Sequence, residues 1–280
     1  MKFSVVLRRI YHVIFHRLLQ VFIQNPPILL QPITENQNVR AFNMLKSLIP
    51  TRMPLNPITV GQISCNGQYV VPQDIFNVDL LISPGVGIDV ELDIMFLQHG
   101  IKAILVDTVK LPKSLYAYRN HLQYISKLLG SRSAESMSPE SVISINTLLK
   151  TNTFKRVALQ MDIEGHEWPI ILEDAENILD HFDYLIIELH GISALFGYST
   201  FPLMTSAIEI LRKYFVPYYT TINPANGYSE INGKLIPELI EVTFVNKSCV
   251  SEDMFSQLPY VFKYDELGIG ESLQTLLDTH

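Results

Sequence analysis

The sequence contains only two cysteines among its 280 residues, Cys65 and Cys249. Neither lies in a Cys-x-x-Cys pair, so a zinc knuckle is excluded, and no disulfide framework can be built from them. Basic residues are also few, because 21 lysines and arginines stand against 28 aspartates and glutamates, giving a formal net charge of −7. Proteins that bind nucleic acid without sequence preference are usually basic, so this negative charge disfavours a nucleic-acid partner.

Internal repeats and low-complexity tracts are absent as well. Hydrophobic residues make up 48% of the chain and charged residues 18%, which allows a large core and disfavours extended disorder. A chain of 280 residues suits one α/β domain of about 200–250 residues with an N-terminal extension. The few cysteines are compatible with a reducing compartment such as the cytoplasm.

The first 34 residues lack acidic side chains, and Glu35 is the first carboxylate. Apolar residues recur at helical spacing from residue 3 to residue 21, opposite a basic face. One interpretation is an amphipathic helix that lies on a membrane surface through residues 1–23 or docks on the protein. A signal or signal-anchor segment is disfavoured because basic residues interrupt the apolar run, and an organelle transit peptide is the third alternative. The predicted location is therefore cytoplasmic or membrane-associated.

From residue 79 onward, buried strands alternate with helices. A strand over 79–83, a turn over 84–87, a helix over 89–99 and a strand over 101–107 form a βαβ unit. The later pattern predicts helices at 115–130, 144–150, 167–179 and 201–214, a solvated loop at 131–141, and strands at 156–161, 184–190, 215–222 and 239–246. This alternation predicts an α/β fold with a doubly wound, mostly parallel sheet. No crossover helix separates the last two strands, so they should pair antiparallel.

Four regions follow from this pattern. They are an N-terminal extension (1–34), a leading segment (35–78), the main α/β domain (79–250) and a C-terminal tail (251–280). The leading segment is expected to contain a helix near 39–49 and two short β segments, at 58–61 and 68–72, around an Asn66-Gly67 turn.

Two glycines follow the first strand of the main domain, in the segment Ser83–Gly87. Gly85 and Gly87 allow a tight turn and a close approach of the backbone to a ligand, and the next helix offers its positive N-terminus. Many strand-to-helix turns contain two glycines, so a purely structural turn is the alternative. The third glycine of the dinucleotide fingerprint is absent, since Val90 and Glu91 stand there, and this disfavours a nicotinamide-dependent oxidoreductase.

Asp107 ends the second strand, about 20 residues after the glycines. An acidic residue at this point accepts hydrogen bonds from the ribose hydroxyls of a bound adenosine in many α/β proteins. The alternative is a solvated aspartate at a strand end. Together with the glycine turn, Asp107 favours a nucleoside ligand.

Asp162 comes directly after the strand predicted at 156–161. Strand alternation sends Asp162 and Glu164 to the same side, so Asp162 is a candidate to face a ligand or substrate. The alternative is a structural role, in which the negative charges of Glu164 and Glu167 stabilise the positive N-terminal turn of the next helix.

His190 ends the following strand and should approach the same crevice. A histidine there suits a general base, because its ordinary pKa is near 6.5; a hydrogen-bonded strand-end histidine is the alternative. A metal site built from Asp162, Glu164, His166 and His190 lacks the spacing of a His-Glu-x-x-His motif or a facial triad, so the sequence predicts none.

These motifs together resemble the FkbM-type family of S-adenosylmethionine-dependent methyltransferases. The strongest similarity is at 159–168, Leu-Gln-Met-Asp-Ile-Glu-Gly-His-Glu-Trp, which resembles a family pattern of strand, Lys, x, Asp, Ile or Val, Glu, Gly, Ala, Glu. The remaining similar segments are 60–71, 83–87, 106–107, 187–190 and 236–244. The resemblance covers roughly residues 58–247.

The resemblance implies a Rossmann-like, seven-stranded sheet whose last strand is antiparallel. It implies S-adenosylmethionine as cofactor, with the segment from Ser83 through Gly85 and Gly87 against its methionine part and Asp107 on its ribose. It also implies O-methylation of a small molecule, a sugar or a lipid headgroup, with Asp162 as a further cofactor-binding residue and Asp162 or His190 as catalytic base.

The chain departs from the family pattern at several positions. Gln160 replaces the usual Lys, His166 replaces the usual Ala, Pro84 precedes the glycines, and Asn66 replaces an acidic residue. Two of these departures border the expected site. The alternative function is therefore a catalytically degenerate methyltransferase fold that acts as a binding or interaction module at a membrane.

Overall fold

The computed structural model describes residues 33–50, 53, 55–61, 68–87, 89–150, 154–178, 181–250 and 273. The whole of the predicted N-terminal helix, the Asn66-Gly67 turn and all of the tail beyond residue 250 except residue 273 lie outside this part of the chain. Within it, no helix combines the length and apolar character needed to cross a membrane.

The described elements follow the alternating order expected of an α/β fold. The helices are α1 (Glu35–Lys46), α2 (Glu91–Gln98), α3 (Arg132–Met137), α4 (Ile145–Lys150), α5 (Glu167–Ile178) and α6 (Phe201–Tyr214). The strands are β1 (Pro57–Val60), β2 (Tyr69–Pro72), β3 (Leu80–Pro84), β4 (Lys102–Val106), β5 (Leu122–Ile125), β6 (Leu128–Leu129), β7 (Val142–Ile143), β8 (Val157–Met161), β9 (Tyr184–His190), β10 (Phe215–Ile222), β11 (Tyr228–Ile231), β12 (Lys234–Pro237) and β13 (Leu239–Asn246).

The main sheet has seven strands in the order β10-β13-β9-β8-β3-β4-β5. Strands β3, β4, β5, β8 and β9 run parallel to one another, whereas β13 is inserted antiparallel between β9 and β10. The predicted fold class is confirmed: this is a doubly wound, Rossmann-like sheet with an antiparallel last strand. The antiparallel pairing of the last two long strands, β10 and β13, is confirmed with it.

Both faces of the sheet are covered, which explains why its central strands are apolar almost throughout. All five residues of β8 are buried. Alternation divides the β3 side chains between two cores, because Leu80 and Ile82 pack on one face and Leu81 packs on the other. Helices α1, α5 and α6 contribute apolar side chains to the first core, and α2 contributes to the second.

The point where the chain reverses direction across the sheet lies between β3 and β8. From β3 the chain passes through α2 to β4 on one side, while β8 and β9 lie on the other side of β3. The carboxyl ends of β3 and β8 therefore stand side by side at this point of the sheet. Ligands of doubly wound sheets bind at this kind of position.

The leading segment packs against the two outer strands β10 and β13. The hydroxyl of Tyr218 donates to the carbonyl of Leu55, and the hydroxyl of Thr220 donates to the carbonyl of Leu48. Strands β1 and β2 pair antiparallel. This packing places Tyr69 of β2 beside the carboxyl ends of the central strands.

Two sequence predictions about local structure are wrong, and one hairpin was missed. The helix expected at 115–130 is a 3₁₀ helix (Lys113–Tyr118) followed by β5, which pairs with the edge of β4. The loop expected at 131–141 contains α3, whose first turn is capped by the Ser131 hydroxyl. An antiparallel hairpin, β11 and β12, was not predicted at all.

Candidate functional site

A cavity of about 370 Å³ lies at the carboxyl ends of β3, β8 and β9. Its volume falls within the range of about 300–1,000 Å³ that small-molecule sites occupy. The lining residues come from β2, the β3–α2 turn, α2, β8, β9 and the loop after β10. They are Tyr69, Ser83, Gly85, Val86, Gly87, Asp89, Leu92, Asp93, Gln160, Asp162, Glu164, Glu188, His190, Asn223, Ala225, Asn226 and Leu239.

The charge of this lining is one-sided. Five of the described lining residues are acidic and none is a lysine or an arginine. Such a lining suits a ligand that carries positive charge, and it repels phosphate groups at close range.

Of the residues singled out in the sequence, Ser83, Gly85, Gly87, Asp162 and His190 all line the cavity. Asp107 is not among the lining residues and is only 2% exposed. Its carboxylate accepts hydrogen bonds from the backbone N–H groups of Gly87 and Val109, each at 3.0 Å. In this structure Asp107 therefore holds the glycine turn in place.

The turn requires glycine at position 85 for a different structural reason than at position 87. Gly85 has a φ of +78°, and a Cβ atom added there would lie 1.7 Å from the carbonyl oxygen of Asp162. Only glycine allows the β3–α2 turn to approach the end of β8 so closely. Gly87 has a φ of +58°, but a Cβ added there would meet nothing nearer than the Gly85 oxygen at 3.9 Å. The space beside Gly87 remains open toward the cavity.

His190 is the centre of the polar network. Its Nδ1 lies 3.1 Å from Glu167 Oε1 and 3.2 Å from the carbonyl oxygen of Glu188. Both neighbours are acceptors, so Nδ1 carries a hydrogen. Its Nε2 lies 3.8 Å from Asp162 Oδ1, 3.7 Å from Glu164 Oε2 and 3.8 Å from Glu188 Oε2. Four carboxyl groups thus surround one imidazole.

This crowding shifts the pKa values of the central groups. Burial by itself would lower the pKa of His190, but the hydrogen bond to Glu167 and the nearby carboxylates outweigh it and raise that pKa to about 9. Burial, reinforced by Glu188, raises the pKa of Asp162 to about 9 as well. Burial also raises the pKa of Glu188. Both predicted candidate bases therefore hold a proton more tightly than they would in water.

The end of β8 is shaped by a tight turn. Glu164 adopts a left-handed φ of +58°, which is uncommon for a residue other than glycine, and Gly165 follows at +96°. The backbone N–H of Ile163 donates to Glu167 Oε1 at 3.0 Å. The first residue of α5 therefore ties the turn to His190. His166, by contrast, is exposed, with Nδ1 beside the Ile163 carbonyl, and does not line the cavity.

Several site residues were missed in the sequence. Asn223, at the end of β10, donates from Nδ2 to Glu188 Oε1 at 2.8 Å and to Glu241 Oε1 at 3.0 Å. Glu188 and Glu241 lie directly opposite each other on β9 and β13. Burial raises the pKa of Glu241 to about 8. The available signal was a glutamate inside each of two otherwise apolar strands, which usually means a buried polar partner.

Two further cavity residues, Gln160 and Asp93, each form a hydrogen bond with the Ser83 side chain. The Ser83 hydroxyl donates to Gln160 Oε1 at 3.0 Å. Asp93 of α2 is 3% exposed, and its Oδ1 has no hydrogen-bond partner among the described residues. Burial raises the pKa of Asp93 to about 7, and a hydrogen bond with Ser83 offsets only part of the rise.

The buried Asp93 carboxyl makes stability depend on pH. Because its pKa is raised in the folded state, the folded chain binds more protons than the unfolded one between pH 3.8 and about 7. Its contribution to stability is full at low pH, falls as pH rises through this window and is constant above it. The wild type should therefore lose up to about 4 kcal/mol in free energy of unfolding across this window, and Asp93→Asn should abolish that loss.

Urea unfolding at pH 5 and pH 8 measures this effect. Asp93→Asn should gain stability relative to the wild type at pH 8 more than at pH 5. Glu230→Gln, which removes an exposed carboxylate on β11, serves as the control and should leave the pH difference unchanged. An identical pH dependence in Asp93→Asn and the wild type would show that Asp93 does not titrate as described.

Comparisons with known proteins add the following. No family model matches the chain, and no curated protein matches its sequence. A solved protein described as an RNA methyltransferase, from Pyrococcus horikoshii, is similar at 12% identity with a TM-score of 0.33, covering 74% of this chain and 98% of that one. Precorrin-6y C5,15-methyltransferase from Geobacter metallireducens is similar at 11% identity with a TM-score of 0.28, covering 76% and 88%.

A third solved structure, a protein described as a hemolysin from Lactococcus lactis, has 9% identity and a TM-score of 0.33, covering 89% of this chain and 98% of that one. All three TM-scores are below 0.5. The fold class therefore rests on the order and directions of the strands in this chain.

Proposed function

We propose that the chain is an S-adenosylmethionine-dependent methyltransferase of the FkbM type. In this proposal it methylates a hydroxyl oxygen of a small molecule, a sugar or a lipid headgroup. The observation that carries the proposal is the convergence of the Gly85–Gly87 turn, Asp162 and His190 on one cavity at the carboxyl ends of a methyltransferase-ordered sheet. The similarity of residues 159–168 to the FkbM pattern supports the choice of family.

The residues present fit this cofactor in charge and in shape. S-adenosylmethionine carries a sulfonium and an ammonium, and the cavity is lined by Asp89, Asp93 and other carboxyl groups. The unpaired Oδ1 of buried Asp93 is an acceptor that a cationic ligand would satisfy. The same lining suits the pyrophosphate of a nicotinamide dinucleotide poorly, which agrees with the missing third glycine.

Gly85, Gly87 and Ser83 would lie along the methionine part of the cofactor, where the space beside Gly87 is open. Asp107 would bind the ribose. When bound, the cofactor supplies a methyl group whose bond to a positively charged sulfur breaks with the electron pair staying on the sulfur. Asp162 or His190, in its deprotonated form, would take the proton that the acceptor hydroxyl loses, and because both pKa values are raised to about 9, alkaline pH favours this step.

Calorimetric titration of S-adenosylmethionine into the purified full-length chain tests the proposal. We expect saturable binding of one equivalent, with competition by S-adenosylhomocysteine. Absence of heat and of competition, in protein shown to be folded by circular dichroism, would reject the cofactor and with it the proposed reaction.

The role of Asp107 is tested by Asp107→Ala. We expect a loss in cofactor affinity of about 1–3 kcal/mol, because one hydrogen bond to a charged acceptor is removed. The substitution also frees the N–H groups of Gly87 and Val109, so a control must disturb the backbone around Asp107 and keep the carboxylate. Tyr124→Phe does this, because the Tyr124 hydroxyl donates to the backbone carbonyls of Asp107 and Val109. Equal losses in the two variants would exclude a ribose contact by Asp107.

A further inference from the structure

We propose that Asp162, Glu188 and His190 form a divalent-cation site whose open coordination positions face the cavity. One ligand atom from each residue lies within 4.8 Å of the other two. The three residues come from the ends of the neighbouring strands β8 and β9, so the fold assembles a site that sequence spacing does not show. The inference concerns the chain without any cofactor and does not rest on the proposed function.

The distances are close to those of a coordinated ion. His190 Nε2 lies 3.8 Å from both Asp162 Oδ1 and Glu188 Oε2. Two ligand atoms about 2.1 Å from a tetrahedral ion stand about 3.4 Å apart. Each pair that includes His190 is therefore within about half an ångström of this separation, and the ligand atoms of Asp162 and Glu188 lie within 4.8 Å of each other.

The hydrogen bond at the other ring nitrogen, Nδ1, also fits a metal-binding role for His190. A histidine that binds metal through one nitrogen usually donates from the other to a carboxylate or a carbonyl, which fixes the tautomer. Here Nδ1 is directed at Glu167 Oε1, and the Glu167 side chain is fully buried. Glu188 is held in turn by the amide of Asn223. Two of the three ligands are thus already oriented.

A second observation, outside the three ligands, points to a cation in the cavity. Asp93 lines the same space, is 3% exposed and has an Oδ1 without a hydrogen-bond partner among the described residues. Glu167 Oε2, on the carboxyl group that contacts His190, is likewise buried and has no hydrogen-bond partner in the described part of the chain. Four carboxyl groups lie within 4 Å of the imidazole, which concentrates oxygen donors around it.

The donor set indicates the class of ion. Two carboxylate oxygens and one imidazole nitrogen suit Zn²⁺, Mn²⁺ or Fe²⁺, and a site with only three protein ligands keeps positions for ligand oxygens. Such an ion would bind an acceptor hydroxyl and favour its ionised form. His166 is exposed and outside the cavity, so it is not part of the site.

Titration of the metal-free full chain with Mn²⁺ and with Zn²⁺, without S-adenosylmethionine, tests the site. We expect one equivalent to bind, and Glu188→Gln or Asp162→Asn to weaken binding by about 100-fold or more. Glu167→Gln, which removes the charge behind His190, should weaken it by about 10–100-fold. Asp89→Asn removes one charge from the same cavity without removing a ligand and should change affinity less than about threefold.

The nitrogen ligand has its own signature. Electron spin-echo spectra of bound Mn²⁺ should show coupling to one ¹⁴N nucleus, and His190→Gln should abolish it. Binding that Asp89→Asn and Glu188→Gln weaken equally, or bound Mn²⁺ without ¹⁴N coupling, would show diffuse attraction and overturn the site. No saturable binding of either ion up to about 1 mM would overturn it as well. Because no cofactor is present, these outcomes are independent of the test for S-adenosylmethionine binding.

Discussion

Replacement of Gly85 by alanine is expected to destabilise the protein by more than about 3 kcal/mol. Two terms add. The left-handed backbone, at φ +78°, costs a residue with a Cβ about 1–2 kcal/mol. The Cβ would also lie 1.7 Å from the Asp162 carbonyl oxygen, an overlap with backbone that no side-chain rotation relieves. The end of β8 must therefore move, and Asp162 moves with it.

Gly87→Ala is the matched control for this prediction. Its φ of +58° imposes a similar backbone cost, but its Cβ would have no contact closer than 3.9 Å. We expect it to cost only about 1–2 kcal/mol. Urea unfolding of both variants measures the difference. Equal destabilisation would mean that backbone conformation alone explains the glycines and that the contact with Asp162 does not constrain the turn.

Replacement of Asn223 by alanine is expected to cost about 3–5 kcal/mol. The Asn223 side chain is 6% exposed and makes three hydrogen bonds, donating to Glu188 and Glu241 and accepting from the N–H of Ala225. Without the amide, two buried carboxyl groups on adjacent strands face each other with no donor between them. The resulting repulsion should also raise the pKa of each carboxyl further.

A second substitution separates this carboxyl pairing from simple loss of packing. Because Glu241 stands directly opposite Glu188, Glu241→Gln supplies an amide donor next to Glu188. In the Asn223→Ala background it should recover part of the lost stability, giving a favourable coupling of about 1–2 kcal/mol in a double-mutant cycle. Asn226→Ala, at an exposed residue of the same cavity, should change stability by less than about 0.5 kcal/mol. Additive effects of the first two substitutions would contradict the bridging role of Asn223.

The elements whose bounds were predicted correctly are those with a clear apolar pattern, whether helix or strand. Helix α6 and strands β9, β10 and β13 have the predicted bounds, because their side chains are buried and their period is unambiguous. In 115–130, Leu115, Tyr118 and Leu122 recur at helical spacing, yet Leu122–Ile125 completes the sheet as β5. The open edge of β4 offers four ladder positions, and this tertiary pairing prevailed over the local pattern.

Elements at the surface were missed for a different reason. Helix α3 has no buried residue, so it has no apolar stripe to reveal it. The β11–β12 hairpin turns at Asn232 and Gly233, both at positive φ. An Asn-Gly pair is typical of such a turn, so the sequence did contain a signal for this hairpin.

The candidate site could be predicted only in part. Strand ends pointed to Asp162 and His190, because carboxyl ends of neighbouring parallel strands meet at one edge. The sequence could not show that Gly85 packs on the Asp162 carbonyl, or that Asp107 faces the Gly87 N–H. Asn223 and Glu241 act through cross-strand pairing, which depends on register and is not visible in a single sequence.

Methyl transfer itself tests the central claim most directly. The full-length chain would be incubated with S-adenosylmethionine labelled in its methyl group and with polar-metabolite, lipid and protein fractions of a cell extract. We expect label to enter the polar-metabolite or the lipid fraction with the wild type. Asp162→Asn should lower that transfer by about 100-fold or more while still binding the cofactor. A wild type that binds S-adenosylmethionine but transfers no more label to any fraction than a protein-free control would contradict the claim and indicate a binding module.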